Sequence, residues 1–262
     1  MNFPLYWVDA FATEVFAGNP AGVVPLATWP ADELMQRIAF EHGLAETAFF
    51  VPVAPGRYHL RWFTPAVEVE LCGHATLSSA HVLFTQLGFT GDRITFVSRS
   101  GPLTVARLAD GRLELDFPAR PATPTAAHEL LSRGLGREPE AVLATKASWL
   151  CVYPQADDVR SLRPDHALLA RVTPGRMIVT ALGEDCDFVS RFFAPDAGIP
   201  EDPVTGGAHT TLIPYWAQRL GKTKLHARQV SARGGELWCE LRGPRVGIAG
   251  HAVLYLRGEI TI

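Results

Sequence analysis

The chain has 262 residues, 47% of them hydrophobic, so it is long enough to bury a substantial core. Its formal net charge is −3 and it has no basic tract, so we expect no nucleic-acid partner. No apolar run approaches the roughly 18 residues of a membrane span. Asp9 and Glu14 interrupt the apolar N-terminus, which argues against a signal peptide, and we expect no membrane partner.

The four cysteines and nine histidines are scattered along the chain without the spacing of a zinc site. We therefore expect no metal. Scattered cysteines are most simply explained by a reducing compartment, which predicts a cytoplasmic protein. The sequence also lacks a Walker loop and the G-x-G-x-x-G, H-E-x-x-H and G-x-S-x-G motifs, so it offers no support for nucleotide, metalloprotease or serine-hydrolase chemistry.

The residue pattern predicts a mixed α and β protein. In chain order, strands are predicted at 4–10, 46–52, 58–63, 93–98, 102–107, 112–117, 176–181, 188–193, 236–242 and 251–257. Helices are predicted at 30–41, 74–87, 125–134, 139–143, 164–170 and 207–220. Pro214 cannot donate to the carbonyl of Thr210, so we expect a kink in the last helix or a short first segment.

A proline-rich segment, FPARPATPT at 117–125, lies near the middle of the chain and has the composition of a linker. Two halves are therefore expected, residues 1–118 and residues 119–250. We expect the C-terminal strand, at about 251–262, to complete the first half.

An internal repeat supports two halves. The pattern Arg-aromatic-Phe-X-Pro occurs at residues 61–65 and again at 191–195, an offset of 130 positions (191 − 61). Continued without gaps, this offset places Asp202 opposite Cys72. A strand, a turn and a helix that begins with glycine follow in both halves. We therefore expect a duplication, with two equivalent helix N-termini facing one another across a cleft.

The glycines at these helix starts suggest a binding site for a small carboxylate. First-turn N–H groups have no partner within the helix and carry partial positive charge. Gly73, Gly206 and Gly207 would let a ligand oxygen approach that backbone closely. The alternative is that these glycines only permit a tight turn. Because the arrangement occurs twice, we favour the anion site.

Four motifs together resemble the PhzF family of phenazine biosynthesis. They are FAGNPAGVV (16–24), GLAETAFF (43–50), LCGHAT (71–76) and EDPVTGGAHTTLIPYW (201–216). The resemblance implies an α+β fold of the diaminopimelate epimerase-like class. This fold has two pseudo-symmetric halves, each a curved, mostly antiparallel, barrel-like sheet wrapped around a central helix, with the active site between them. It also implies a homodimer that needs no metal or organic cofactor.

The resemblance also implies roles for individual residues. Glu46 matches the family's acid–base glutamate, and His74 and Asp202 match residues that contact the substrate and assist proton transfer. Gly73 and Gly206 match backbone positions near the substrate. One position departs from the family, since Gly207 stands where a serine is frequent. The missing hydroxyl makes a substrate different from that of the phenazine enzyme an open possibility.

Elementary acid–base chemistry favours a single shuttle over a pair of bases. The reference pKa values of Cys72 and Asp202 differ by about 4.6 units, or about 6 kcal/mol, which makes balanced two-base racemisation difficult. Glu46 can move a proton alone if the site raises its pKa toward neutrality. We therefore predict an isomerase that shifts a proton on a small, cyclic or amino, carboxylic acid.

Other interpretations of these residues stay open. Cys72 and Asp202 could instead serve an amino-acid or imino-acid epimerase or racemase, and the protein could bind a small carboxylate without catalysis. Glu46 could be a surface strand residue, Asp202 a helix cap and Cys72 a small buried side chain. His74 could be a satisfied first-turn histidine. Asn19 is a turn residue that we also place among the substrate-binding candidates.

Overall fold

The computed structural model describes every residue from Met1 to Ile262. The chain divides into two compact units. The first unit contains Met1–Phe117 and Ile248–Ile262, and the second contains Pro118–Gly247.

The first unit contains two helices, α1 (Asp32–His42) and α2 (Gly73–Thr85). Its strands are β1 (Asn2–Ala10), β2 (Asn19–Pro25), β3 (Glu46–Ala54), β4 (Arg57–Phe63), β5 (Glu68–Val69), β6 (Arg93–Ser98), β7 (Gly101–Arg107), β8 (Leu113–Pro118) and β17 (Ala252–Thr261). β16 (Arg245–Gly250) carries the chain back from the second unit. Because β17 pairs with β1 from Asn2 opposite Thr261 to Ala10 opposite Ala252, the two chain ends share one sheet.

Helix α2 is the centre of the first unit. It packs against β1, β2, β3, β7 and β17, and ten of its residues are buried. Small side chains such as Ala75 and Ala80 let the strands approach it on several sides. The buried hydroxyls of Thr76 and Ser79 donate to the carbonyls of Cys72 and Ala75, at 2.5 and 2.8 Å, so these two hydroxyls are satisfied inside the helix.

The second unit follows the same plan. Its strands are β9 (Thr123–Pro124), β10 (Ala141–Ala144), β11 (Trp149–Val152), β12 (Met177–Leu182), β13 (Phe188–Phe193), β14 (Lys224–Gln229) and β15 (Gly235–Arg242). Its helices are α3 (Glu129–Leu135), α4 (Ala156–Ser161), α5 (His166–Leu169) and α6 (Gly206–Leu220), with a 3₁₀ turn at Pro195–Ala197.

Helix α6 is largely buried, like α2, and it is anchored by Trp216. The indole Nε1 of Trp216 donates to the Oγ1 of Thr180 at 2.9 Å, and the ring stacks on Phe188 at 5.7 Å. The helix runs through Pro214 as one element, so the expected short first segment is not found. Pro214 has no backbone N–H to donate to the carbonyl of Thr210. This carbonyl instead accepts a hydrogen bond from the backbone N–H of Arg120 at 2.9 Å. This bond offsets the cost of a proline in a helix interior.

Several element predictions need correction. The helix predicted at 139–143 is wrong, because Ala141–Ala144 is strand β10, paired antiparallel with β11. Strands β2, β11, β14 and β16 were not predicted. These strands are short or rich in helix-forming and turn-forming residues, so their pairing with neighbours overrides local propensity. No helix has the length and apolar character that crossing a membrane requires.

Candidate active site

Two elements of the first unit bring Glu46 and His74 together. Glu46 is the first residue of β3, which pairs in parallel with β2. His74 is the second residue of α2. The Oε2 of Glu46 lies 3.2 Å from the Nε2 of His74, and the two side chains are 13% and 5% exposed. The Glu46 carboxylate therefore lies against the buried His74 ring, while part of the Glu46 side chain is still exposed to solvent.

The His74 ring is neutral. Burial lowers the pKa of the His74 imidazole from its usual value to about 3. The 3.2 Å contact with Glu46 is therefore a polar contact between a neutral ring and a carboxyl group rather than an ion pair. The buried ring packs against the carboxyl group and limits its orientations.

Cys72 is the third member of this cluster. It is the residue before α2, and its Sγ lies 3.5 Å from the Nδ1 and 4.0 Å from the Nε2 of His74. Single ligand atoms of Glu46, Cys72 and His74 all lie within 4.8 Å of one another, so these residues could together hold a metal ion. The sequence spacing did not indicate this set, because Glu46 comes from a strand far upstream of the other two.

Asn19 begins β2, where it pairs with Ala10, and it is fully buried. The turn before it depends on Gly18, whose φ is +66°. A Cβ at this position would lie 2.2 Å from the carbonyl oxygen of Ala10, so only glycine fits. Asp9 accepts the backbone N–H of Phe16 at 2.9 Å and fixes the other end of the turn.

In the second unit, Asp202 belongs to a hydrogen-bonded turn that ends at α6. The hydroxyl of Thr205 donates to the Oδ2 of Asp202 at 2.5 Å. The buried amide of Gln229 accepts the N–H of Thr205 at 2.9 Å and donates to the carbonyl of Asp202 at 2.7 Å. Gln229 therefore fixes the backbone on both sides of this turn. No sequence motif marks Gln229, because its partners are backbone groups and the Thr205 hydroxyl, which lie far from it in the chain.

Gly206 and Gly207 are the first two residues of α6. Gly207 is exposed, and a Cβ placed on it would meet nothing within 4 Å. A serine, which the resemblance leads one to expect at this position, would therefore fit. Steric crowding around residue 207 does not explain why this position is a glycine.

The two helix starts correct the gapless repeat. Gly206 follows Gly73 by 133 positions (206 − 73), which is three more than the offset between the two arginines. The residue opposite Cys72 is therefore Thr205, and the earlier pairing of Cys72 with Asp202 is wrong. The extra residues lie near the 3₁₀ turn at Pro195–Ala197.

Matched ion pairs support this register. In β4, the Nε and Nη2 of Arg61 donate to the two carboxylate oxygens of Glu68, both at 2.8 Å. In β13, Arg191 binds Glu201 in the same two-pronged way, at 2.7 and 2.9 Å. The two arginines are 130 positions apart and the two glutamates 133 (201 − 68), so the insertion falls between the members of the pair.

The same register shows that the Glu46 cluster occurs once. Phe49 is the β3 residue opposite Arg61, and Val179 is the β12 residue opposite Arg191. Three positions earlier in the chain stand Glu46, the first residue of β3, and the exposed Arg176, which comes just before β12. His74 corresponds to Gly207 in the same way. The second unit thus has no equivalent of the carboxylate or of the imidazole.

Comparisons with known proteins now identify the family. A family model described as phenazine biosynthesis-like protein matches residues 8–258. A protein of Pseudomonas aeruginosa, named an uncharacterized isomerase, is 54% identical over 262 residues, which is 100% of both chains. The chain belongs to the PhzF family. The resemblance that the four motifs indicated is therefore confirmed.

Solved structures confirm the fold. A PhzF-family protein of Enterococcus faecalis matches with a TM-score of 0.97 and 43% identity, over 100% of both chains. A hydroxyproline epimerase of Agrobacterium vitis, with trans-4-hydroxy-L-proline bound, matches with a TM-score of 0.62 and 10% identity, over 99% of this chain and 92% of that one. The α+β, diaminopimelate epimerase-like fold predicted from the sequence is correct.

A separate cavity of about 530 Å³ lies in the first unit. It is lined mainly by apolar side chains, among them Phe3, Phe50 and Leu87. None of the candidate site residues lines it. The Glu46 cluster, with its carboxylate, imidazole and thiol, is the part of this unit that is equipped for acid–base chemistry.

Proposed function

We propose that the protein is an isomerase that relocates a proton on a small, cyclic or amino, carboxylic acid. Glu46 is the acid–base group, and no metal or organic cofactor takes part. The observation that carries this proposal is the 3.2 Å contact between Glu46 and a buried, neutral His74. The family and the isomerase names of its members support the reaction class.

The proposed reaction uses one group twice. The Glu46 carboxylate removes a proton from a carbon of the substrate, and the electron pair is delocalised into the substrate's conjugated system. The protonated Glu46 then returns the proton to a different carbon, so the substrate is isomerised and the enzyme is unchanged. His74, whose Nε2 lies 3.2 Å from the Glu46 Oε2, limits the orientations of the carboxylate. Acid–base catalysis of this kind typically contributes about 10²–10⁴ in rate.

The single occurrence of the cluster supports one shuttle rather than two opposed bases. Racemisation by two bases needs an acid–base group from each half, and the register gives Thr205 as the partner of Cys72. A threonine hydroxyl is a far weaker acid than a thiol and a poor proton donor at neutral pH. The epimerase alternative relied on Cys72 and Asp202 being equivalent residues of the two units, and they are not equivalent. It predicts that alkylation of Cys72 abolishes turnover.

Substrate binding is assigned to backbone and polar groups. We propose that in the first unit the first-turn N–H group at Gly73 binds the substrate carboxylate, with Asn19 contacting another polar atom. In the second unit, the first-turn N–H groups at Gly206 and Gly207, with Asp202, are candidate contacts for polar substrate atoms. The trans-4-hydroxy-L-proline bound to the hydroxyproline epimerase of similar fold supports small cyclic amino acids as the first compound class to screen. Members with a ring double bond meet the requirement of the proposed reaction for conjugation.

We also propose that the protein is a homodimer and is cytoplasmic. A homodimer follows from the family resemblance, and the exposed, mutually contacting rings of Phe16 and Tyr255 offer an apolar surface for it. Light scattering coupled to gel filtration should give twice the mass of one chain. None of the four cysteines is in a disulfide, and we take this to support a cytoplasmic location.

Deuterium exchange tests the function. Small cyclic and amino carboxylic acids are first screened by thermal shift, and each ligand found is incubated in D₂O with the wild type and with Cys72→Ala. An isomerase of the proposed kind should label the ligand or convert it to a double-bond isomer, with or without Cys72. Loss of all turnover in Cys72→Ala would favour the epimerase. Binding with neither labelling nor product would indicate a carboxylate-binding protein.

A further inference from the structure

The cluster of Glu46, Cys72 and His74 also provides three potential ligands for a transition metal. It combines a carboxylate oxygen, a thiol sulfur and an imidazole nitrogen, all within 4.8 Å. Mixed N, S and O ligands of this kind suit Zn²⁺ and similar thiophilic cations, whereas Mg²⁺ and Ca²⁺ prefer oxygen alone.

The distance between the Glu46 oxygen and the His74 nitrogen suits tetrahedral coordination. With Zn–O and Zn–N bonds near 2.0 Å and a Zn–S bond near 2.3 Å, neighbouring ligand atoms lie about 3.3–3.5 Å apart. The Oε2 of Glu46 and the Nε2 of His74 are 3.2 Å apart, and the Sγ of Cys72 is 4.0 Å from the same nitrogen. The sulfur is nearer the Nδ1 of the ring, at 3.5 Å, so Cys72 must adopt a different rotamer to bind an ion held on Nε2.

Charge and position also fit a divalent cation. A carboxylate and a thiolate together carry two negative charges, which one divalent ion neutralises within a buried site. Cys72 stands immediately before α2, so its side chain lies at the positive end of the helix dipole. The ligands come from a strand and a helix start, both of which are regular elements with fixed backbones.

We propose that Glu46, Cys72 and His74 form an inhibitory binding site for Zn²⁺ or another thiophilic divalent cation. On binding, the Cys72 thiol releases its proton to solvent, the sulfur, Nε2 and Oε2 coordinate the ion, and water or the substrate carboxylate takes a fourth position. The ion occupies the Glu46 oxygen that the shuttle uses. The inhibition, but not the binding, rests on the proposed function.

Cobalt spectroscopy tests the binding without any substrate. The chelator-treated protein is titrated with Co²⁺, whose bond to a thiolate gives a near-ultraviolet charge-transfer band. The band should saturate at one equivalent, vanish in Cys72→Ser and persist in Cys186→Ser, where the half-buried thiol donates to the carbonyl of Phe188. Absence of the band in the wild type, or its loss only in Cys186→Ser, would overturn the site.

A second variant covers the case in which Cys72→Ser fails to fold. Glu46→Gln retains shape and both other ligands, so it should still show the band but bind Zn²⁺ at least about tenfold more weakly in competition with Co²⁺. Unchanged Zn²⁺ affinity would remove Glu46 from the site. If the cobalt band appears but no ligand is labelled with deuterium, the isomerase proposal is wrong and the metal site stands. If a ligand is labelled at a rate that Zn²⁺ does not change, and the protein shows no cobalt band, the metal site is wrong and the isomerase proposal stands.

Discussion

His209 illustrates how burial sets the chemistry of a single residue. It is the fourth residue of α6 and is fully buried, and its Nδ1 lies 2.8 Å from the carbonyl of Thr205. Burial lowers the pKa of the His209 ring to about 4, although the contact with that carbonyl acts in the opposite direction. The ring is therefore neutral in the fold and completes the first turn of the helix.

This burial predicts a pH dependence of stability. Between about pH 6.5 and pH 4 the unfolded chain binds a proton at His209 that the folded chain does not, so stability falls as the pH falls. The expected contribution between pH 7.5 and pH 5 is about 2 kcal/mol. His209→Asn replaces the ring N–H donor with an amide donor that cannot titrate. The free energy of unfolding of this variant should therefore change by about 2 kcal/mol less over this pH range than that of the wild type.

Urea denaturation at the two pH values measures this difference. His59→Asn, at an exposed strand position, is the matched control and should follow the wild type. Equal pH dependence in the wild type and in His209→Asn would show that the buried ring does not contribute.

At the scale of elements, the two-pronged Arg–Glu pairs connect a central strand to the segment before each central helix. Arg191 is 8% exposed, and its Nη1 also donates to the carbonyls of Val159 and Leu162, at 3.1 and 3.0 Å. Glu201 supplies the only carboxylate recorded against this buried cation. The pair therefore fixes the start of the turn that contains Asp202.

Loss of this carboxylate should destabilise the fold. Glu201→Gln leaves a buried guanidinium against a neutral amide, and we expect a cost of about 2–3 kcal/mol, reduced from the fully buried case because the Glu201 side chain is 24% exposed. Glu184→Gln, which removes an exposed partner of Arg160, should cost less than about 0.5 kcal/mol. Urea denaturation compares the two variants, and equal effects would contradict this account.

Elements with a strong periodic pattern were predicted well from the sequence. Helix α1 was expected at 30–41 and is found at Asp32–His42, and β13 was predicted with its observed limits of 188 and 193. The helix expected at 139–143 was wrong, because REPEAVLA has helix-forming residues but β10 is held by its partner strands. Such pairing is a long-range effect that a local pattern cannot contain.

The candidate site was only partly accessible to sequence reasoning. Glu46 and His74 were named through the family motifs, but nothing in their spacing of 28 residues (74 − 46) indicates contact. Thr205 and Gln229 were missed, since their contacts with each other and with Asp202 depend on β14 lying beside the turn before α6. The register error at Cys72 came from three inserted residues that a gapless repeat cannot reveal.

At the scale of the whole molecule, the two units share one order of strand pairing. In the first, β1 with β2, β3 with β4 and β6 with β7 are antiparallel, while β2 with β3 and β4 with β6 are parallel. In the second, the sequence from β10 to β15 repeats this alternation. The duplication thus preserves the scaffold, while Glu46, Cys72 and His74 are present in one copy only.

The C-terminal strand should be required by one unit and not by the other. Deletion of 252–262 removes β17 and leaves residues 2–5 of β1 without a partner strand, since β2 pairs only with Tyr6–Ala10. Amide exchange in β1 and β2 should become at least about tenfold faster, while β12 keeps its protection. Deletion of Ile262 alone is the control. Equal loss of protection in β1 and β12 would contradict independent units.

The central claim is that Glu46 carries the proton. The most direct measurement is the rate of deuterium incorporation from D₂O into a small carboxylic acid that the wild type labels, compared between the wild type, Glu46→Gln and the control Glu41→Gln on the exposed surface of α1. Glu46→Gln should bind the compound but label it about 10²–10⁴-fold more slowly, and Glu41→Gln should match the wild type. Labelling by Glu46→Gln at a rate near that of the wild type would contradict the account.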